Sequence, residues 1–186
     1  MIEIYYPIMV LIISVLWILA RILCCRKSGF FSWKRELQLM LVYICIIVVV
    51  RFTFCPFGKV DGKIQPLLFD PSQILPFRLN FLPLVYLFDY PDPREILLNV
   101  IGNTAMFIPL GIIWPSVFPK LRPFGRSMAA GIGCSLLIEI LQLPFFDRVS
   151  DIDDLILNSL GFLVGYLLWL LTTSIIKFTK RKIQGA

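Results

Sequence analysis

The sequence predicts an all-α, polytopic membrane protein with five transmembrane helices and a proline-rich, partly membrane-embedded outer loop. Three observations predict it. The 186 residues are 58% hydrophobic and only 16% charged, where a soluble domain of this size carries about 25% charged residues. Five apolar runs, roughly 4–23, 37–57, 95–114, 127–146 and 153–176, each approach the ~20 residues that a helix needs to cross the hydrocarbon layer. The alternating ~10-residue segments of a membrane β-barrel are missing.

The first run reads as a retained helix. Glu3 stands where a signal peptide has basic residues, no A-x-A-like site follows, and Arg21, Arg26 and Lys27 come after it. Cys24 and Cys25 follow Arg21, Ile22 and Leu23, which is no lipobox. Cys45, Cys55 and Cys134 lie in or at the end of the runs. With no metal-like spacing, five unpaired thiols are expected, and S-acylation at Cys24 or Cys25 is a secondary reading.

Basic residues set the orientation. Twelve of the 18 fall in the linkers after the first and third helices and in the tail; five, Lys59, Lys63, Arg78, Arg94 and Arg148, fall on the other side, and Arg51 lies within the second helix. The expected arrangement is a multi-pass protein of the cell membrane with its N-terminus extracytoplasmic and its C-terminus cytoplasmic. The acids sort the opposite way, apart from Glu36 inside and Glu139 within the fourth helix. A basic inner face suits anionic headgroups, so membrane lipids are the expected partners. Nucleic acid is not, because no groove-reading or base-stacking motif accompanies the charge.

In order, the expected segments are two N-terminal transmembrane helices over 1–57, an extracytoplasmic Pro-rich loop over 58–93, a three-helix core over 94–176 and a basic cytoplasmic tail over 177–186. Seven of the thirteen prolines lie between Pro56 and Pro93. Within that loop, Asp70, Pro71 and Gln73 have the order of an N-cap, a first-turn proline and a third-position side chain. A short helix is predicted to start there and stop before Pro76. The stretch "FRLNFLPLVYLF" reads as an interfacial strip covering whatever the helices enclose, since non-helical backbone at membrane depth must be buried against protein or face a wet cavity.

The third helix starts with Asp92 as N-cap, Pro93 at the first position and Glu95 at the third. Asn99 and Asn103 share one of its faces. Pro109 interrupts its hydrogen bonding, and Gly102 and Gly111 are expected to admit a close neighbour. The fourth helix places Glu139 and Gln142 on one face. A carboxylate in a span costs about 2.5–3.5 kcal/mol unless it meets a partner or water; Arg51 is one candidate partner. In the fifth, Ser150 and Asp153 fit a capping box, and Asp151, Asp154 and Asn158 align on a polar face. Gly161 and Gly165 form a small-xxx-small pair for helix packing.

Intramembrane polar residues on four helices, all in the same predicted half of the membrane, point to a shared polar chamber opening outward. The candidate ligand-binding residues are Arg51, Asn80, Asn99, Asn103, Glu139, Gln142, Arg148, Asp151, Asp154 and Asn158. Asn, Gln, Arg and carboxylates supply both donors and acceptors for hydroxyl-rich and phosphate groups.

"NFLPL" (80–84), "NVIGNTAMFIPLG" (99–111), "IEILQL" (138–143) and "RVSDIDDLILNSLGFLVG" (148–165), in that order, resemble the VanZ-like integral membrane proteins over about residues 78–169. The resemblance makes 94–176 a VanZ-like core and implies a bacterial envelope protein. The family is named after a member associated with reduced susceptibility to the glycopeptide teicoplanin, and the resemblance implies no reaction. Three functions fit these residues. One is a module that binds an envelope glycolipid or lipid-linked precursor. Another is an enzyme acting on such a lipid, with Glu139 or Asp154 as general base and no cofactor, or with Asp151, Asp154 and Glu139 holding a divalent cation. The last is a structural or regulatory membrane partner. Without histidine, a G-x-S-x-G motif or a cysteine paired with a base, the common nucleophilic machinery is excluded.

Overall fold

A computed structural model of the chain describes residues 1–29, 31–55, 59–60, 63–75, 78–83, 93–146 and 148–184. The protein is predominantly helical and multi-pass, and among the described residues five helices are long and apolar enough to cross a membrane. The elements in order are β1 (Ile2–Ile4), α1 (Tyr6–Ser28), α2 (Trp33–Phe54), β2 (Lys59–Val60), β3 (Lys63–Ile64), β4 (Leu67–Phe69), a 3₁₀ turn (Pro71–Ile74) and β5 (Leu79–Asn80). They continue with α3 (Pro93–Val117), a second 3₁₀ turn (Pro119–Leu121), α4 (Phe124–Gln142), β6 (Ser150–Asp151) and α5 (Ile152–Gln184).

Local chemistry explains most boundaries. Pro7 occupies the first turn of α1, where its missing N–H has no intrahelical partner to lose. Gly29 ends α1 in the left-handed region at φ 63°, donating its N–H to the Cys25 carbonyl over 3.0 Å; a residue with a Cβ would be strained there. Arg26 and Lys27 sit in that last turn, where the helix dipole favours cations. The predicted Asp70 turn is present: Asp70 accepts from the Ser72 amide at 3.0 Å and from the Ser72 hydroxyl at 2.7 Å. The hydroxyl bond, then the amide bond, hold the Asp70 carboxyl below its ordinary range. The Asp92 cap, half of the "FRLNFLPLVYLF" strip and Pro76 lie outside the described residues.

The ends of the fourth and fifth helices are among the boundaries that differ from expectation. The fourth helix ends at Gln142 and not near 146, because Pro144 cannot continue the hydrogen-bond ladder. The fifth runs 33 residues to Gln184, about 50 Å at 1.5 Å per residue. It outreaches a ~30 Å hydrocarbon layer, so the basic tail begins as a continuation of the helix.

The chain packs as two compact units, Met1–Leu82 with Leu137–Ile152, and Pro83–Leu136 with Asp153–Ala186. They interleave in sequence. In the first unit, Phe54, Cys55, Leu67 and Phe145 form a core against which Ile4, Tyr6, Met9, Val50, Phe69 and Ile138 pack. The sequence reading missed its small sheets. β1 pairs antiparallel with β4, Ile2 opposite Phe69 and Ile4 opposite Leu67, which ties the N-terminus to the loop. β2 pairs with β3 as a two-residue hairpin ladder. Helices α1 and α2 are joined by Ser14 and Tyr43, whose hydroxyls are 2.7 Å apart. At the far end they are joined by a two-point ion pair from Arg21 to Glu36, at 2.9 and 2.6 Å.

The second unit is built on glycine. A Cβ on Gly161 would collide with the Thr104 carbonyl oxygen, one on Gly165 with that of Ile108, and one on Gly111 with that of Phe162. Helices α3 and α5 therefore approach backbone to backbone, as the small-xxx-small pair predicts. Gly102 does not take part: nothing lies within 4 Å of where its Cβ would be.

Candidate functional site

The polar residues of the first unit gather around two features, the C-terminus of α2 and the Glu139 carboxylate. The last four carbonyls of a helix have no intrahelical donor. Here Gln142 Nε2 donates to the Thr53 carbonyl at 2.7 Å, Arg148 Nη2 to the Phe54 carbonyl at 2.9 Å, and Arg51 Nη1 to the Cys55 carbonyl at 3.1 Å. Two cations beside a helix C-terminus also complement its dipole. Three predicted ligand-binding side chains are thus partly engaged as caps.

Glu139 is 4% exposed. Its Oε2 accepts from the Ser150 hydroxyl at 3.1 Å and the Asp151 amide at 2.9 Å. Arg51 is not its partner, and among the described residues no cation pairs with it. The Ser150 hydroxyl, expected in a capping box, donates to Glu139, and α5 starts two residues later at Ile152. One helical turn on, Gln142 Oε1 is buried with no partner among the described residues.

The segment holding Ser150 and Asp151 is positioned by the loop predicted to be a cover. The Asp70 amide donates to the Pro144 carbonyl at 2.8 Å, the Phe146 amide to Leu68 at 2.9 Å, and the Ser150 amide to Arg78 at 3.2 Å. Arg78 returns two bonds, from Nη1 to the Phe146 carbonyl and from Nη2 to that of Phe145 at 2.8 Å. β5 then pairs parallel with β6, which sets Asn80 opposite Asp151. Asn80 Nδ2 donates to Asp151 Oδ2 at 3.1 Å.

The second unit has its own polar cluster. Asn103 Nδ2 donates to Asn99 Oδ1 at 2.9 Å and also to Asp154 Oδ1. Asn158 Nδ2 donates to Ser135 Oγ at 3.0 Å. Asn158 is 1% exposed and Ser135 fully buried, and Asn158 Oδ1 has no partner among the described residues. The polar face of the fifth helix therefore divides its bonds, Asp154 toward α3 and Asn158 toward α4.

Of the ten predicted residues, Arg51, Asn80, Glu139, Gln142, Arg148 and Asp151 lie in the first unit and Asn99, Asn103, Asp154 and Asn158 in the second. Arg78, Ser135 and the partner role of Ser150 were missed. Serine in an apolar helix or near a helix start has a bland explanation, and Arg78 stands in a loop with no periodicity. Among the described residues, no group of three or more His, Cys, Asp or Glu is able to hold a metal ion.

Among the described residues, five helices long and apolar enough to cross a membrane, with buried carboxamides and a buried carboxylate, define a multi-pass membrane protein with buried polar clusters. The VanZ/LLP1 family model matches residues 40–174, and the chain belongs to the VanZ/LLP1 family. The match begins within α2 and ends within α5, so it takes in all ten candidate ligand-binding residues. No curated protein and no solved structure matches the chain.

Proposed function

We propose that the protein binds, on the extracytoplasmic side of the cell membrane, the headgroup of a cell-envelope lipid or lipid-linked glycan, and so modulates glycopeptide susceptibility, teicoplanin included. Glu139 carries this reading. A carboxylate inside a spanning helix is costly, and here it is supported by two neutral donors and no cation among the described residues. The unpartnered Gln142 Oε1 lies one turn away. The local excess is of acceptors, so a fitting ligand supplies donors, as the hydroxyls of a sugar or glycerol headgroup do.

Glu139→Gln keeps the shape and removes the charge. Hydrogen bonds to charged groups contribute about 1.5–3 kcal/mol, so binding of a lipid-linked disaccharide or a glycosyl diacylglycerol in nanodiscs is expected to weaken about tenfold or more. Abundance and melting temperature are expected to stay near wild type. Equal binding by a folded Glu139→Gln protein would sink the proposal. A cell-based arm separates the structural alternative: loss of the teicoplanin phenotype at normal abundance contradicts a purely structural role.

The orientation is tested by reporter fusions at residues 30, 75, 120 and the C-terminus. All but the fusion at 75 are expected to report cytoplasm, since the basic linkers hold those positions inside. A cytoplasmic signal at 75 would reverse the assignment and put the Glu139 cluster on the wrong face for a glycopeptide.

A further inference from the structure

Two acceptor atoms on one face of α4 have no donor among the described residues. Glu139 and Gln142 are one helical turn apart, which puts their Cβ atoms about 5–6 Å from each other. The Ser150 hydroxyl and the Asp151 amide both donate to Glu139 Oε2, at 3.1 and 2.9 Å, and no described group donates to Oε1. Gln142 Nε2 is engaged by the Thr53 carbonyl at 2.7 Å, and its Oε1 is buried without a partner among the described residues. Both side chains are more than nine-tenths buried, at 4% and 5% exposure. The guanidiniums of Arg51 and Arg148 donate to carbonyls at the end of α2, and no described cation pairs with Glu139.

We infer that Glu139 and Gln142 together receive a primary ammonium group carried by the lipid headgroup. This rests on the headgroup reading above and names the chemical group that the site selects. A buried carboxylate stays ionised at low cost only beside a counter-charge, and no described residue supplies one. What the pair leaves open is acceptors alone. A hydroxyl meets them with one donor and two lone pairs of its own, whereas an ammonium brings three donors, a positive charge and no acceptor. Charge-assisted bonds of that kind are about twice as strong as neutral ones. Ser150 and Asp151 come from β6, whose ladder with β5 is only two residues long, Leu79 opposite Ser150 and Asn80 opposite Asp151. That short edge is the entry, because it opens without unfolding a helix. Once it closes, Ser150 and Asp151 hold Oε2 while the ammonium takes Oε1 and the Gln142 carbonyl oxygen.

The test compares two matched lipids on the full-length protein in nanodiscs near neutral pH. One is glucosyl diacylglycerol; the other is its analogue with the primary sugar hydroxyl replaced by an amine. Wild type is expected to bind the amine about tenfold more tightly. Glu139→Gln is expected to bring that ratio to about one, since the amide keeps the shape without the charge. Gln142→Met removes the other acceptor and is expected to lower the ratio, a second measure if Glu139→Gln does not fold. Glu95→Gln, at an exposed carboxylate in the first turn of α3, is expected to leave the ratio unchanged. Equal binding of the two lipids by wild type overturns the inference; if Glu139→Gln then weakens both alike, the headgroup reading survives. Binding of neither lipid overturns the inference, and if the lipid-linked disaccharide is also unbound, the headgroup reading falls with it. An undiminished ratio in folded Glu139→Gln, or in folded Gln142→Met should the first not fold, also overturns it, as does loss of the ratio in Glu95→Gln. Loss of the wild-type preference when sodium chloride replaces choline chloride at equal ionic strength overturns it in favour of an inorganic cation.

Discussion

Alanine at Gly161 is expected to cost the fold about 3 kcal/mol, the upper end of overpacking penalties, whereas alanine at Gly102 is expected to be neutral or stabilising by up to about 1 kcal/mol. The substitution is the same and the helices are both membrane-crossing; the surroundings differ. At Gly161 the new methyl meets the Thr104 carbonyl, and at Gly165 that of Ile108. Thr104 and Ile108 are one helical turn apart, as are Gly161 and Gly165, so the two collisions repeat down a single seam. Backbone carbonyls cannot rotate away, and relief requires α3 and α5 to separate. Separation would lengthen the bond from Asn103 to Asp154, which also joins α3 to α5. At Gly102 nothing lies within 4 Å of the added methyl, and only the gain in helix propensity remains. Melting of detergent-purified variants, followed by monodisperse protein remaining after heating, checks the pair. Matching melting temperatures for Gly161→Ala and wild type would remove the close-packed seam as a source of stability.

The same contrast shows what the sequence makes legible. A run of twenty apolar residues has one solution in a bilayer, so the five helices follow from composition. A carboxylate or carboxamide inside such a run must meet a partner, which is why Glu139, Gln142, Asn103 and Asn158 stand out before any coordinates. The Asp70 turn was legible because its cap, proline and third-position residue are local. Partners are not local. Gln142 meets a carbonyl 89 positions earlier and Arg148 one 94 earlier, and backbone carbonyls leave no trace in residue identity. Asn80 reaches Asp151 through a two-residue parallel ladder, far too short for any periodic pattern. Gly102 and Gly161 look alike in sequence because both serve a helix; only the packing tells which one faces a neighbour.

Gln142→Leu and Arg148→Leu are each expected to destabilise the protein by about 1–3 kcal/mol, the cost of leaving a buried backbone acceptor without its donor. The Thr53 and Phe54 carbonyls close α2 beside the core of Phe54, Cys55, Leu67 and Phe145, where water is poorly placed to substitute. The double variant is expected to lose less than the sum, because both caps serve one helix end and a turn frayed by the first loss has less to forfeit at the second. Arg148→Leu also removes a cation from the negative end of the dipole, so it is expected to be the worse of the two singles. Hydrogen exchange localises the effect: amides of the last turn of α2 are expected to exchange faster in both variants, while those of α5 keep their protection. Unchanged exchange at that turn in a folded Gln142→Leu protein would show that the cap is not needed. On the proposed function Gln142 has a divided role, its Nε2 holding α2 closed and its buried Oε1, without a partner among the described residues, left to the proposed headgroup. A substitution there is therefore expected to lower stability and binding together, whereas Glu139→Gln separates them.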